Sequence, residues 1–593
     1  MSFVGQLDVH APYLTVKETF EFASACRNDI SQIQTNKTLE SLTIEGLGLK
    51  ICEDTFVGNT NIRGVSGGQR RRVSVGEMMQ GNNPVACCDE MSTGLDAAVT
   101  HDIVKSIVDY SRAAKTTRVI SLLQPGPETF ALFDEVVVLC EGMIAYSGPV
   151  EEAVDYFASL GYELPPTVDV ADFLQTVTTA EGALLFEPKN SPRDEHYSAT
   201  QFAEAFMESK YGSLIEQQLQ APPTNNWKEL GVPKQYKNQF SNSWVRSFKL
   251  NFNRHLLLWW RDKGFIIGKT AENIGMSATT GGILFQQARI PSFASIWDSK
   301  NAEALQLLQD GINSALFMTC LHILLGTTTS APQDLDERPI HYKHGDASFY
   351  QTSAYVLGKL AASLPQRILE TVSFSIPLYF LVGLDSAPSS FFLFLTIVLV
   401  YTFTLKLLYA IFTQFAPNQQ NVLSFGTFLV LLFALFSGFI VYPNVIPGYY
   451  YWFLYANPVF WAYQALLLTE LTSSKYSPSA AKFLSARGFH YTRQWIGYSF
   501  AFFIPYALLC AVLFVFVLKT VRIEPIRSGI SKDINNEEEK TNEREEFNFS
   551  FTKVDLTFED IVYKVKASTG NEMLRLLNGV SGVFQGGRMC ALM

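Results

Sequence analysis

Six long apolar segments, near residues 265–286, 311–330, 353–383, 391–413, 421–441 and 496–518, occupy the middle of the chain. As helices, each is long enough to cross a hydrocarbon core of about 30 Å. Lipid leaves a backbone no partner but itself, so these segments predict an all-α membrane domain of six spans. The first is the weakest, since it contains Lys269 and Glu272. Lying three apart on one helix face, those two can pair with each other or turn into the bundle interior. Just upstream, WVRSFKLNFNRHLLLWWRDK (244–263) is amphipathic, with basic residues and a Trp pair. That composition suits a helix in the membrane interface.

Charge is distributed the other way. Of the 593 residues 48% are hydrophobic and 17% charged, and the charges crowd into the first 240 and the last 75. Soluble ends therefore flank a membrane middle. A net charge of −10 with no sustained Lys/Arg patch argues against a nucleic-acid partner, which needs a basic face. The eight cysteines lack the CxxC spacing of a zinc or redox site. The opening MSFVGQLDVHAPYLTV does not read as a secretory signal, so insertion falls to the internal spans.

An even number of spans puts both soluble ends on one side, and the positive-inside bias of WWRDK, of the loop from Glu337 to His344 and of KTVRIEPIR makes that side the cytoplasm. The largest outside segment is then 442–495, where the aromatic cluster YYYWFLYANPVFWAY suggests a partly membrane-dipping region.

Residues 1–180 alternate helix-like stretches with short apolar runs, VACC (85–88), VISLL (119–123) and VVVLC (136–140), an α/β rhythm with buried parallel strands. The rest divides into polar connecting helices (181–240), the membrane domain (241–525), a charged linker (526–548) and a strand-like stretch that opens another domain (549–593).

Two motifs carry chemistry. In Val65-Ser66-Gly67-Gly68-Gln69, followed by Arg70, Arg71 and Arg72, a Ser and two glycines before a helix expose backbone N–H groups at its positive end, a cradle for a γ-phosphate. A Gly-Gly pair alone reads equally as a turn. Some twenty residues on, PVACCDEMSTGLDAAVT is a strand ending in Asp89 and Glu90. Over a phosphate site Asp89 can hold Mg²⁺, usually through water, and Glu90 can polarise an attacking water. Alone, such a pair is also an ordinary solvated strand end.

Together these motifs resemble the P-loop-type nucleotide-binding domain of ABC transporters: VSGGQ its signature, the strand ending in Asp89-Glu90 its Walker B, and STGLD, with Asp96, its D-loop. FVGQLDVHAPYLTVKETFEFA is similar to the Q-loop region, which makes Gln6 a contact to γ-phosphate and Mg²⁺ and a coupler to the membrane part. LFDEVVVLCEGMIAYSGPVEEAVDYFASLGYELPP resembles the G-type branch, and so does the order of nucleotide domain before membrane domain. ERPIHYKHGDASFYQTSAYVLGKL and YANPVFWAYQALLLTEL resemble its pleiotropic drug resistance subfamily, with an ABC-2 type membrane domain.

The resemblance implies ATP and Mg²⁺ as cofactors, a multi-pass protein of the plasma membrane, and export of hydrophobic or amphipathic cargo. Membrane lipid and the second nucleotide-binding and membrane halves of one full-length protein would be its partners. It also implies that the loop from Asp334 to Phe349, with Glu337 and Arg338, rests on the nucleotide domain as a coupling loop; without the resemblance those charges mark a solvated loop. Three departures stand out. No GxxxxGK(S/T) run occurs, and in the family it would precede the Q-loop. GVSGVFQGGRMCALM resembles the strand leading into a second such loop and stops there, so a truncation at Met593 is expected. The family's H-loop histidine falls at Leu123, and the nearest histidine, His101, lies on the helix after the D-loop. These 593 residues alone are therefore expected not to hydrolyse ATP. The alternative is a catalytically inert half-molecule with only a binding or structural role.

Overall fold

The computed structural model describes residues 2–28, 33–81, 85–114, 117–141, 143–188, 195–220, 239–285, 302–473, 479–523, 556–566 and 573–584. They fall into two compact units that part after Pro525.

The first unit opens with three parallel strands in the order β1 (Ser2–Val4), β2 (Val85–Cys88), β3 (Thr117–Ile120), in register Val4↔Cys88↔Ile120. Helices α1 (Val16–Arg27), α2 (Ile33–Gly46), α3 (Gly67–Met79) and α4 (Ala97–Ala114) accompany them. Both α1 and α3 begin with a reciprocal cap, Thr15 with Glu18 and Ser66 with Gln69, which satisfies two orphan N–H groups at each helix start.

Of the three runs expected as buried parallel strands, only the first two are parallel. VVVLC forms β4 (Glu135–Cys140), which pairs antiparallel with β5 (Met143–Pro149) in a separate sheet. Cys140 pairs with Met143, so two residues connect the strands, too few for the crossover a parallel partner requires. Nor are these strands buried on both faces, since Val119 is 58% and Leu139 61% exposed. Beyond α5 (Pro127–Phe130), the inner face of β4 and β5 meets α6 (Val150–Ser159), α7 (Val170–Val177) and α8 (Ala199–Glu208) in an aromatic core of Tyr146, Phe157, Tyr162, Phe173 and Phe202, bordered by Tyr211 of α9 (Lys210–Gln220).

A helical bundle follows: α10 (Trp244–Arg261), α11 (Lys263–Ile283), α12 (Ala302–Ser330), α13 (Pro332–Asp346), α14 (Thr352–Val382), α15 (Pro388–Thr413), α16 (Gln419–Leu435), α17 (Tyr451–Ala456), α18 (Pro458–Leu471), α19 (Ser479–Ala486) and α20 (Gln494–Thr520). Helices stand at all six apolar segments. By length and composition, three described stretches are able to cross a membrane, Asp310–Asp346, Pro388–Thr413 and Gln494–Thr520, and Gln419–Leu435 is apolar but shorter. The other two helices carry charge, neutralised in pairs: Lys269–Glu272 at 3.0 Å in α11 and Arg367–Glu370 at 2.7 Å in α14. Within the segment expected outside, all fourteen residues of α18 are buried, packed against α12, α15, α16 and α20.

The stretch from Asp334 is not a loop. It is α13, which continues α12 through Ala331 in helical conformation, with Pro332 in its first turn where a missing N–H costs nothing. In the second unit β6 (Leu556–Lys566) and β7 (Met573–Phe584) pair antiparallel. The charged linker 526–548 and the final QGGRMCALM lie outside the described residues.

Candidate functional site

The SGGQ turn begins α3. Gln69 N donates to Ser66 Oγ (3.3 Å), and Ser66 N donates to Gln69 Oε1 (2.9 Å). A Cβ at Gly67 would meet no atom within 4 Å, and one at Gly68 would touch Val99 and Leu95 at ordinary distance, 3.6 and 3.7 Å. The first-turn amides thus border open space, which lets an anionic oxygen come up to the backbone. Asp96 caps the neighbouring helix, its Oδ1 accepting from Val99 N at 2.8 Å.

The acid pair forms where β1 and β2 end side by side. Their register brings the residues just beyond each strand together, so Gln6 Nε2 donates to Glu90 Oε2. Thr93 Oγ1 donates to the same oxygen (3.3 Å), and Ser121 Oγ accepts from Glu90 N (2.7 Å) while donating to Asp89 Oδ1 (3.0 Å). Glu90 itself is left-handed, with φ of 44°. Leu123 lies beside this group with its side chain 56% exposed and its N–H on Ser92 Oγ, whereas His101 is engaged by Thr129. The structure therefore joins Gln6, Asp89 and Glu90 directly. Ser66–Gln69 and Asp96 hold their own helix starts.

Sequence reasoning missed what connects these parts. Arg71, Ser74 and Glu77 recur every three residues along α3, one stripe of the helix, and all three are buried. Arg71 donates to the carbonyl oxygens of Gly5 (2.7 Å) and Asp89 (2.9 Å) and pairs with Asp8 (3.2 Å). Ser74 Oγ donates to Asp8 (2.6 Å) and meets His10 Nε2 at 2.8 Å. Glu77 receives His10 on one side and, across to α13, Lys343 and His344, the last at 2.8 Å. Burial alone would raise the Glu77 carboxyl, but the Lys343 charge and the two histidine hydrogen bonds outweigh it and hold it well below the usual range. Burial, followed by Lys343, lowers His10, so at neutral pH its imidazole is uncharged. A second clasp joins the N-terminal part to α10, where Arg261 grips Glu18 at 2.7 Å and Tyr13 OH donates to Asp262 at 3.0 Å.

Glu337 and Arg338 do not make that contact. Glu337 pairs with Lys359 of α14 (2.6 Å), and Arg338 donates to the carbonyl of Ala416 (2.8 Å) just past α15. Beside them Asp334 pairs with Lys359 (2.9 Å) and Lys406 (2.6 Å). They fasten α13 to the bundle. Lys343 and His344 reach Glu77 because α13, being helical, carries them about 10 Å further along its axis.

Residues 246–471 match the family described as ABC-2 type transporter, and residues 123–200 match a second family of the same description. The helical bundle is the membrane domain of an ABC-2 type transporter. Across its whole length the chain is 28% identical to ABC transporter G family member 31 of Arabidopsis thaliana, covering 44% of that protein, and 26% identical to Pleiotropic drug resistance protein 1 of Nicotiana tabacum, covering 45%. It is 29% identical, over 90% of its length, to ABC transporter G family member 31 of Oryza sativa subsp. japonica, covering 39% of it. The chain is thus similar along its whole length to G-family and pleiotropic drug resistance members of the ABC transporters. It spans less than half the length of these curated relatives.

Proposed function

We propose that these residues are working parts of an ATP-driven exporter of hydrophobic or amphipathic compounds, residues 1–180 belonging to a nucleotide-binding domain. The observation that carries this is the buried stripe of α3, which runs from the acid pair to the membrane domain's α13. Bound Mg-ATP would supply the cleavable phosphoanhydride. The donor set fits it: two partly exposed carboxylates at a strand end, an amide beside them and an open helix start. Asp89, through water, and Gln6 would hold the metal, and Glu90 would polarise the attacking water. The amides of Ser66 to Gln69 would face a nucleotide held by a second nucleotide-binding domain, with Asp96 in the same interface. ATP-dependent efflux of a hydrophobic dye by the complete transporter tests this. Efflux that survives ATP depletion would refute it.

Leu123 favours a second reading, an inert half, because leucine can neither donate nor accept a proton. The 593 residues contain no GxxxxGK(S/T) run; the nearest, GFIIGKT at 264–270, is one residue short and lies within α11, its Lys269 paired to Glu272. Without such a lysine and glycine loop to hold β- and γ-phosphates, the purified chain is expected to release no phosphate from Mg-ATP above a Glu90→Gln control. Measurable turnover above that control would contradict it.

The charge bias places the region after α18 outside and the chain beyond α20 in the cytoplasm. A cysteine introduced at Ser479 should therefore react with an impermeant thiol reagent on intact cells, while one at Asn535 should react only after permeabilisation. Reversed labelling would invert the topology.

A further inference from the structure

Arg71 is a buried cation, its side chain 3% exposed, and its surroundings are almost wholly backbone. Nη1 donates to the carbonyls of Gly5 (2.7 Å) and Gln6 (3.3 Å) and to Asp8 Oδ1 (3.2 Å); Nη2 donates to those of Asp89 (2.9 Å) and Glu90 (3.2 Å). Its Nε has no partner among the described residues, so the guanidinium forgoes one hydrogen bond in turning its fork onto the ends of β1 and β2. One planar group thus spans both segments that carry Gln6 and Glu90. An ammonium, with three donors diverging from one point, does not have that reach.

What it holds is a costly conformation. Glutamate rarely occupies the left-handed region, yet Glu90 has φ of 44°. Five contacts keep it there: Arg71 and the Thr93 N–H on its carbonyl, Ser121 on its N–H, and Gln6 and the Thr93 hydroxyl on its carboxylate. Of these, only Arg71 comes from α3. It sits four residues, about 6 Å, from the Gly67 turn, on the same helix.

The geometry points to Arg71 as a positioning residue that ties the backbone of Gln6 and Glu90 to α3, so that contact made at Ser66–Gly68 sets the meeting of Gln6 with Glu90. This rests on the proposed nucleotide reading only for what touches Ser66–Gly68. On that reading a nucleotide held by the second domain adjusts this domain's own acid pair through one guanidinium.

Hydrogen exchange on the purified chain tests the clamp without any nucleotide. In both Arg71→Met and Arg71→Lys, residues 4–9 and 88–93 should exchange about tenfold faster, with α6–α8 and α14 unchanged. Wild-type protection in Arg71→Lys would overturn the proposal, because charge without the fork would then suffice. Equal loss of protection across α6–α8 in both variants would also overturn it, by reducing Arg71 to general scaffold.

In the complete transporter, Arg71→Lys should lower kcat for ATP a few-fold, as far as Glu90→Gln does and no further, while KM is unchanged, the pattern of a misplaced group and not of lost binding. An unchanged kcat there, with Glu90→Gln reducing turnover, would show that Arg71 does not act on the acid pair. If Glu90→Gln leaves turnover intact, the catalytic reading of the acid pair falls, and the exchange experiment still decides the clamp.

Discussion

Gly67→Asp in the complete transporter is expected to cut export to background, while Glu90→Gln leaves a substantial part of it. The substitution costs the fold little, since a side chain at Gly67 meets no atom within 4 Å and a carboxylate in the first turn of α3 is favourable to the helix dipole. What it removes is access. Backbone donors aimed at phosphate typically supply about 10²–10³ in rate each, and a carboxylate there repels the phosphate as well. On the proposed reading Glu90 would serve this domain's own site, where Leu123 stands in place of a proton-handling histidine, so turnover there would be slow whatever Glu90 does. Its contact with Gln6 still helps order the interface, and its loss should cost a few-fold, roughly 1 kcal/mol. Dye efflux at matched surface expression is the measurement. Equal and complete loss in both variants would show that this site is catalytic and that the reading of Leu123 is wrong.

Glu77→Gln should separate the N-terminal part from the membrane domain. The carboxylate, 3% exposed, is the common partner of His10, Lys343 and His344, and its neutralisation leaves the Lys343 ammonium largely buried without its counter-ion. Breaking a buried pair in this way costs about 3–5 kcal/mol. In detergent, thermal unfolding of the chain should fall by several degrees and divide into two transitions. Lys343→Met removes the cation but leaves Glu77 two histidines, so its effect should be smaller. The double variant should recover about 1 kcal/mol or more relative to the sum, because neither charge then remains alone. Additive effects would mean that Glu77 and Lys343 do not act on each other.

These effects turn on residues whose types were legible and whose partners were not. The apolar segments gave their helices directly, since membrane-length hydrophobicity is a local property of the sequence. The acid pair and the SGGQ turn were equally local. By contrast, Arg70, Arg71 and Arg72 read as one basic run, and only the phase of α3 against Gly5–His10 decides that Arg71 is the buried one. The stretch from Asp334 to Asp346, with a proline and many charges, reads as a loop. It is helical because Asp334, Glu337 and Arg338 find partners on α14, on α15 and just past α15, at sequence distances no local pattern reports. With Glu337 and Arg338 occupied there, the contact to the N-terminal part passes to Lys343 and His344. The antiparallel β4 was legible in principle, since only two residues, Glu141 and Gly142, separate its two apolar runs, a hairpin's loop length. The strand's apolar character, which suits a parallel strand as well, obscured it.

The total burial of α18 dictates an order of assembly during biogenesis. Fourteen residues make a helix of about 21 Å, shorter than the roughly 30 Å hydrocarbon core, and this one carries Gln464 and Glu470. It cannot partition into the bilayer as an independent span. Its walls are α12, α15, α16 and α20, and α20 is synthesised after it. The surroundings that bury α18 are therefore complete only once α20 has been made and packed against it.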